Sequence, residues 1–185
     1  MGVLREAMGD AILTSIALGG ANFNPSTATA FYAAGLKSDV SLFSMAARFP
    51  AQAAGGVAGV KALLKLMPEE YRKFLRGPSL KVDLHTGAAA EGVLTFVFCF
   101  SVLFVVVRGP KSPVLKVWLL SNVTAGLFVL GSGYTGPSMN PANAFGFRLQ
   151  NQPLIRRRRK SKQALACVFN HTNFIVYLLL FYVLI

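Results

Sequence analysis

Acidic side chains are scarce in this chain. Seven Asp and Glu stand against nineteen Lys and Arg in 185 residues, for a formal net charge of +12. No acid–base pair or activated nucleophile can be assembled from them at recognisable spacing, so an enzyme is not expected. Cysteine is equally sparse: Cys99 sits in an apolar run and Cys167 in the C-terminal tail. Two such residues give no disulfide framework and no metal spacing. His85 and His171 are single histidines without a nucleophile or a ligand partner nearby. No metal and no cofactor is therefore expected. A secretory signal is not evident either, because Arg5, Glu6 and Asp10 interrupt the N-terminal candidate.

What the chain does have is apolarity, with 54% hydrophobic residues and a mean hydropathy of +0.51. A soluble domain of this size is usually more polar. The basic excess on such a background suits cationic loops of a membrane protein better than a nucleic-acid surface. Residues 86–107, apolar apart from Glu91, and residues 114–131 are long enough to cross a bilayer, which takes about 20 residues. Between them, Arg108, Lys111 and Lys116 come without an acid, which places this loop in the cytosol. Residues 40–66 are ambiguous, because Arg48, Gln52, Lys61 and Lys65 punctuate an Ala/Gly-rich run. They read either as a span, whose Gly55-Gly56-Val57-Ala58-Gly59 permits close helix packing, or as a soluble Ala/Gly-rich helix. Residues 67–85 read as loop, and residues 11–21 are too few to span.

The organising feature is a repeat. Gly20-Ala21-Asn22-Phe23-Asn24-Pro25-Ser26-Thr27-Ala28 aligns with Gly136-Pro137-Ser138-Met139-Asn140-Pro141-Ala142-Asn143-Ala144 at an offset of 116. In each copy an Asn precedes a Pro. The Asn side chain can cap a helix, and the Pro suits the first helical position, where its missing N–H costs nothing. Upstream, Asp10-Ala11-Ile12-Leu13-Thr14 echoes Glu91-Gly92-Val93-Leu94-Thr95. Two half-chains that each carry a capped half-helix into a membrane are a pattern of internally repeated transporters and channels.

These motifs resemble the major intrinsic protein family, the aquaporins, and within it the plant branch of small basic intrinsic proteins. Phe49-Pro50-Ala51-Gln52-Ala53, Gly77-Pro78-Ser79-Leu80, His85-Thr86-Gly87 and Tyr134-Thr135-Gly136-Pro137 carry the same resemblance, which covers roughly residues 1–147. It implies an all-α membrane protein, an incomplete aquaporin-like inverted repeat with two Asn-Pro half-helices. It also implies passive transport of water or small neutral solutes, tetramers of like or related chains, and the endoplasmic reticulum membrane. By resemblance, the pore motifs are Asn24, Pro25, Ser26 and Asn140, Pro141, Ala142. The selectivity filter maps onto Phe128, Pro137 and Asn143, the last replacing the Arg of most relatives. Glu91 reads as a catalytic carboxylate, a proton relay or a structural acceptor; the resemblance favours the last, with Asp10 as its counterpart.

Two departures stand out. From Glu91 to Asn140 is 49 residues, whereas from Asp10 to Asn24 is 14, so the first half is short by 35. That is about one crossing with its flanking loop. From Arg148 the chain turns into an atypical tail, with Arg156-Arg157-Arg158-Arg159-Lys160-Ser161-Lys162 before a last apolar run at 174–185. Six cations there go against the family's topology, under which that stretch would be non-cytosolic. An anionic-lipid contact or a solvated tail explains them better than a nuclear signal. The alternative function is thus a transport-dead membrane protein that associates with full-length relatives. Asn122-Val123-Thr124 falls within a span and is expected to stay unglycosylated; Asn170-His171-Thr172 is the better acceptor if the tail is lumenal.

Overall fold

The computed structural model describes residues 22–36, 41–72 and 77–150; Asp10 and the tail from residue 151 lie outside these. Among the described residues there are six helices and no strand. They are α1 (Pro25–Ala33), α2 (Leu42–Leu66), α3 (Glu69–Arg72), α4 (Leu84–Arg108), α5 (Pro113–Gly131) and α6 (Pro141–Gln150).

Local chemistry starts and stops most of them. Ser41 caps α2 by accepting from the Ser44 N–H at 3.1 Å, and Ser112 caps α5 by accepting from Leu115 N–H at 3.4 Å, with Pro113 at the first position. Asp83 caps α4 through the Thr86 N–H at 2.9 Å, and this bond holds its carboxyl below the usual value. At the end of α1, Leu36 N–H reaches Phe31 C=O and Gly35 N–H reaches Tyr32 C=O, with Gly35 at φ +66°. This double closure requires a left-handed residue, which glycine supplies without strain.

Helices α4 and α5 are long and apolar enough to cross a membrane, and their bounds lie within two residues of the spans expected from hydropathy. They pack antiparallel across the short loop at 109–112. Lys116 Nζ donates to Val106 C=O at 3.0 Å, satisfying an orphan carbonyl at the end of α4. Helix α2 is one continuous helix of 25 residues, about 37 Å long, despite Pro50 in its interior. The segment read as loop, 67–85, contains the single turn α3 and the first two residues of α4.

The half-helices α1 and α6 sit on this frame. Ala30 on α1 and Cys99 on α4 are both 1% exposed, flanked by Ala33, Phe98 and Leu103. A second cluster joins Val102 and Val105 of α4 to Leu120 of α5, with Phe31 of α1 against it. Helix α6 lies along α2, and its backbone closes on Gly56, since a Cβ added at Gly146 would stand 2.5 Å from the Gly56 carbonyl oxygen. Gly77 abuts Phe147, so the far end of α6 lies beside the segment that precedes α4. The two half-helices thus run away from each other, α1 toward the 109–112 loop and α6 toward residues 77–83.

Candidate functional site: two interlocked half-helix starts

The N-termini of α1 and α6 meet head to head. Asn24 Oδ1 accepts from the Ser26 N–H at 2.9 Å, and Asn140 Oδ1 accepts from the N–H groups of Ala142 at 3.0 Å and Asn143 at 3.3 Å. Each side-chain oxygen therefore caps its own helix, as the Asn-Pro pattern requires. The side-chain nitrogens cross over. Asn24 Nδ2 donates to Met139 C=O at 2.9 Å, and Asn140 Nδ2 donates to Phe23 C=O at 3.4 Å. The bonds are reciprocal, each Asn gripping the residue just before its counterpart.

A carboxamide nitrogen carries two hydrogens. One per Asn is committed to the opposite loop, and the second has no acceptor among the described residues. With the oxygen fixed by the cap and one hydrogen by the crossing bond, the amide plane is determined and so is the direction of the remaining N–H. Neither half-helix has an acid in its first turn, so the partial positive charge of each helix start is left uncompensated there.

The two loops are held by different means. Before α6, Glu91 Oε1 accepts from Thr135 Oγ1 and from the Ser138 N–H, both at 3.2 Å. Ser79 and Lys81 donate their backbone N–H groups to Thr135 and Tyr134 C=O, each at 2.9 Å, and Lys81 Nζ reaches Ser132 C=O at 2.6 Å. Gly136 turns the chain at φ +56°, and Met139, 4% exposed, adopts φ +50°, a conformation that disfavours a side chain. Before α1, Asn22 Oδ1 accepts from Asn24 N–H at 2.9 Å and Thr27 Oγ1 at 2.7 Å, while Gln52 Nε2 of α2 donates to Asn22 C=O at 2.6 Å. Asn22, Gln52, Thr135 and Lys81 were not singled out from sequence. Gln52 carried two signals, a lone amide in the Ala/Gly-rich run of α2 and its place in Phe49-Pro50-Ala51-Gln52-Ala53.

Of the residues expected at the filter, Pro137 is buried against Gly131 and Leu94, whereas Phe128 on α5 and Asn143 on α6 stand exposed. Ser26 and Ala142, the third residues of the two motifs, are both buried. Asn122 Nδ2 and Thr124 Oγ1 donate to the carbonyls of Trp118 and Leu120 one turn back, so that sequon is spent inside α5.

Known proteins resemble this chain in sequence and in fold. The family model described as Major intrinsic protein matches residues 5–180, which runs through much of the stretch after Phe147. The chain is 61% identical over 137 residues to aquaporin SIP1-1 of Oryza sativa subsp. japonica, covering 73% of this chain and 56% of that protein. It is 48% identical over 133 residues to aquaporin SIP1-1 of Arabidopsis thaliana, covering 72% and 55%. The chain thus spans about half the length of the curated relatives it matches. An aquaglyceroporin from Plasmodium falciparum superimposes with a TM-score of 0.77 at 19% identity, covering 97% of this chain and 78% of that one, a likeness of fold.

Proposed function

Because this chain belongs to the major intrinsic protein family, we propose that it is a membrane channel for the passive transport of water or small neutral solutes, with Asn24 and Asn140 as its central donors. It is an integral membrane protein of the aquaporin-like all-α fold. The observation that carries the reading is the pair of half-committed carboxamides, two fixed N–H groups at the meeting point of two positive helix ends. A water oxygen that accepts from both turns its own hydrogens outward, and a hydrogen-bonded file of waters is then interrupted at that point. The helix ends raise the energy of any cation or proton there. Glu91, and Asp10 in the first half, serve as structural carboxylates that hold the loops, without taking part in transport. Pro25 and Pro141 start the half-helices.

Phe128, Pro137 and Asn143 form the filter in this reading. Asn143 lacks the fixed charge and forked donors that an Arg would supply, so discrimination against cations falls more heavily on the helix dipoles. In a complete version of the fold, Asn143→Arg is expected to lower cation leak relative to water flux; unchanged discrimination would remove this position from the filter. The location proposed is the endoplasmic reticulum membrane, and the assembly a tetramer of this chain or of it with related channels.

One observation favours a second reading, a transport-dead protein that docks with full-length relatives. The interval before Asn24 is 35 residues shorter than its counterpart before Asn140. In this reading a crossing is missing beside α1, where hydrocarbon would meet polar groups that it cannot satisfy. We therefore expect the purified 185-residue chain to conduct poorly alone. Stopped-flow swelling of proteoliposomes against empty liposomes tests both readings. A clear, inhibitor-sensitive increase makes the simple channel sufficient; none, with the chain co-purifying from the liposomes with a full-length relative, selects the second.

A further inference from the structure

Helix α2 touches both half-helices on one face, one turn apart. Gln52 Nε2 donates to Asn22 C=O, two residues before Asn24, at 2.6 Å. Four residues later, and so on the same side of the helix, Gly56 meets the Ala142 carbonyl, two residues after Asn140. The amide orientation of Gln52 is forced, since its oxygen turned toward Asn22 C=O would set two acceptors against each other. In that orientation Oε1 is buried with no hydrogen-bond partner among the described residues. A buried acceptor without a partner forfeits much of what the Nε2 bond contributes, so stability is a poor account of this residue. Packing is a poor account too, because Met fills the same length without burying an amide.

We propose that Gln52 is a positioning residue: together with Gly56 it makes α2 a ruler that sets the separation of the Asn24 and Asn140 donors. This rests on reading those two side chains as the pore's donors, but the spacing itself is measurable whether or not the chain conducts. Gln52 holds the loop into α1, Gly56 lets α6 seat at a fixed height, and the crossed Asn bonds close only when both are in register.

The test uses the full chain in liposomes, with spin labels at Ala34→Cys and Arg148→Cys in a Cys99→Ala, Cys167→Ser background. Both label sites are exposed, at the outer ends of half-helices of nine and ten residues. At 1.5 Å per residue the labels stand roughly 30 Å apart, within range of pulsed dipolar spectroscopy. Gln52→Met, with the same reach and no donor, is expected to shift and broaden the distance distribution. Gln52→Glu, which can donate only when its carboxyl is protonated, is expected to be broad at neutral pH and to narrow toward the parent as pH is lowered. Gly59→Ala, at a position with open space, is the control that leaves it unchanged. A folded Gln52→Met with the parent's distribution overturns the proposal. Should Gln52→Met fail to fold, a Gln52→Glu distribution insensitive to pH overturns it instead. Absence of water flux in the parent would count against the pore reading alone, leaving the distance result to decide the role of Gln52.

Discussion

Replacing Gly146 by Ala is expected to destabilise the protein, although alanine is the better helix former. The new Cβ would lie 2.5 Å from the Gly56 carbonyl oxygen, 2.7 Å from its carbon and 3.1 Å from Val57 N. A carbon normally approaches a carbonyl oxygen no closer than about 3.3 Å, so α6 must move off α2 by roughly 0.8 Å. All three neighbours are backbone, and no rotamer change relieves them. Overpacking of this kind costs about 1–3 kcal/mol, against a gain of about 1 kcal/mol in helix propensity. The net loss is then about 0–2 kcal/mol. The sharper quantity is a contrast. Gly55 and Gly59 have nothing within 4 Å of an added Cβ, so Gly59→Ala takes the propensity gain without the clash. Gly146→Ala should therefore be less stable than Gly59→Ala by about 1–3 kcal/mol, the overpacking cost alone. Thermal unfolding of the purified protein in detergent, followed by circular dichroism, measures both. Equal stability of the two variants would refute the close α2–α6 approach.

Three other perturbations follow from the same geometry. Glu91→Gln keeps an acceptor for Thr135 and Ser138 but exchanges charge-assisted bonds for neutral ones, a loss of about 1 kcal/mol in the same unfolding assay, while Glu91→Ala should cost about twice that or more. Asp83 has its carboxyl held low by the Thr86 N–H, so its contribution to the start of α4 is present above the usual carboxylate value and fades as pH falls through the depressed one. The protection factor of the Thr86 amide, its rate set against the intrinsic exchange rate at each pH, should fall over that acid interval, and Asp83→Asn should remove that change. A cysteine at Lys111 in sealed microsomes should react with an impermeant reagent added from the cytosol, and one at Ser79 should not; the reverse pattern would invert the topology drawn from the basic 108–116 segment.

The sequence was most legible where structure depends on short-range chemistry. Asn24-Pro25 and Asn140-Pro141 start helices where capping rules place them, because a cap needs only its own side chain and the next few N–H groups. Helices α4 and α5 were equally readable, since length and hydropathy alone define a crossing. The interlock of the site was not. Asn24 and Asn140 donate to Met139 and Phe23 through backbone carbonyls, which every residue has, so no side chain marks the partner. The acceptor role of Glu91 was expected from the resemblance, but its partner Ser138 N–H is backbone and unmarked, as is the Ser132 carbonyl on which the Lys81 amine ends. Register was the other blind spot. Three glycines fall within Gly55–Gly59, and composition favours none of them. Only the docking of α6 selects Gly56 and leaves its neighbours facing open space.

Helix α2 shows why the weakest hydropathy signal need not mark a peripheral element. A helix whose contacts are side chain against side chain can be almost uniformly apolar, as α4 and α5 nearly are. A helix that must approach two other backbones cannot, because large side chains would hold them off, and at Gly56 even a methyl group is too much. It must also offer a donor to the Asn22 carbonyl in the loop before α1. Gln52 and the small residues around it answer those two demands, and each lowers the mean hydropathy of the segment. The ambiguity between a span and a soluble Ala/Gly-rich helix thus has a structural cause. Gln52 and Gly56, through which α2 touches both half-helices, account for part of its weak signal, and the exposed Arg48, Lys61 and Lys65 for the rest.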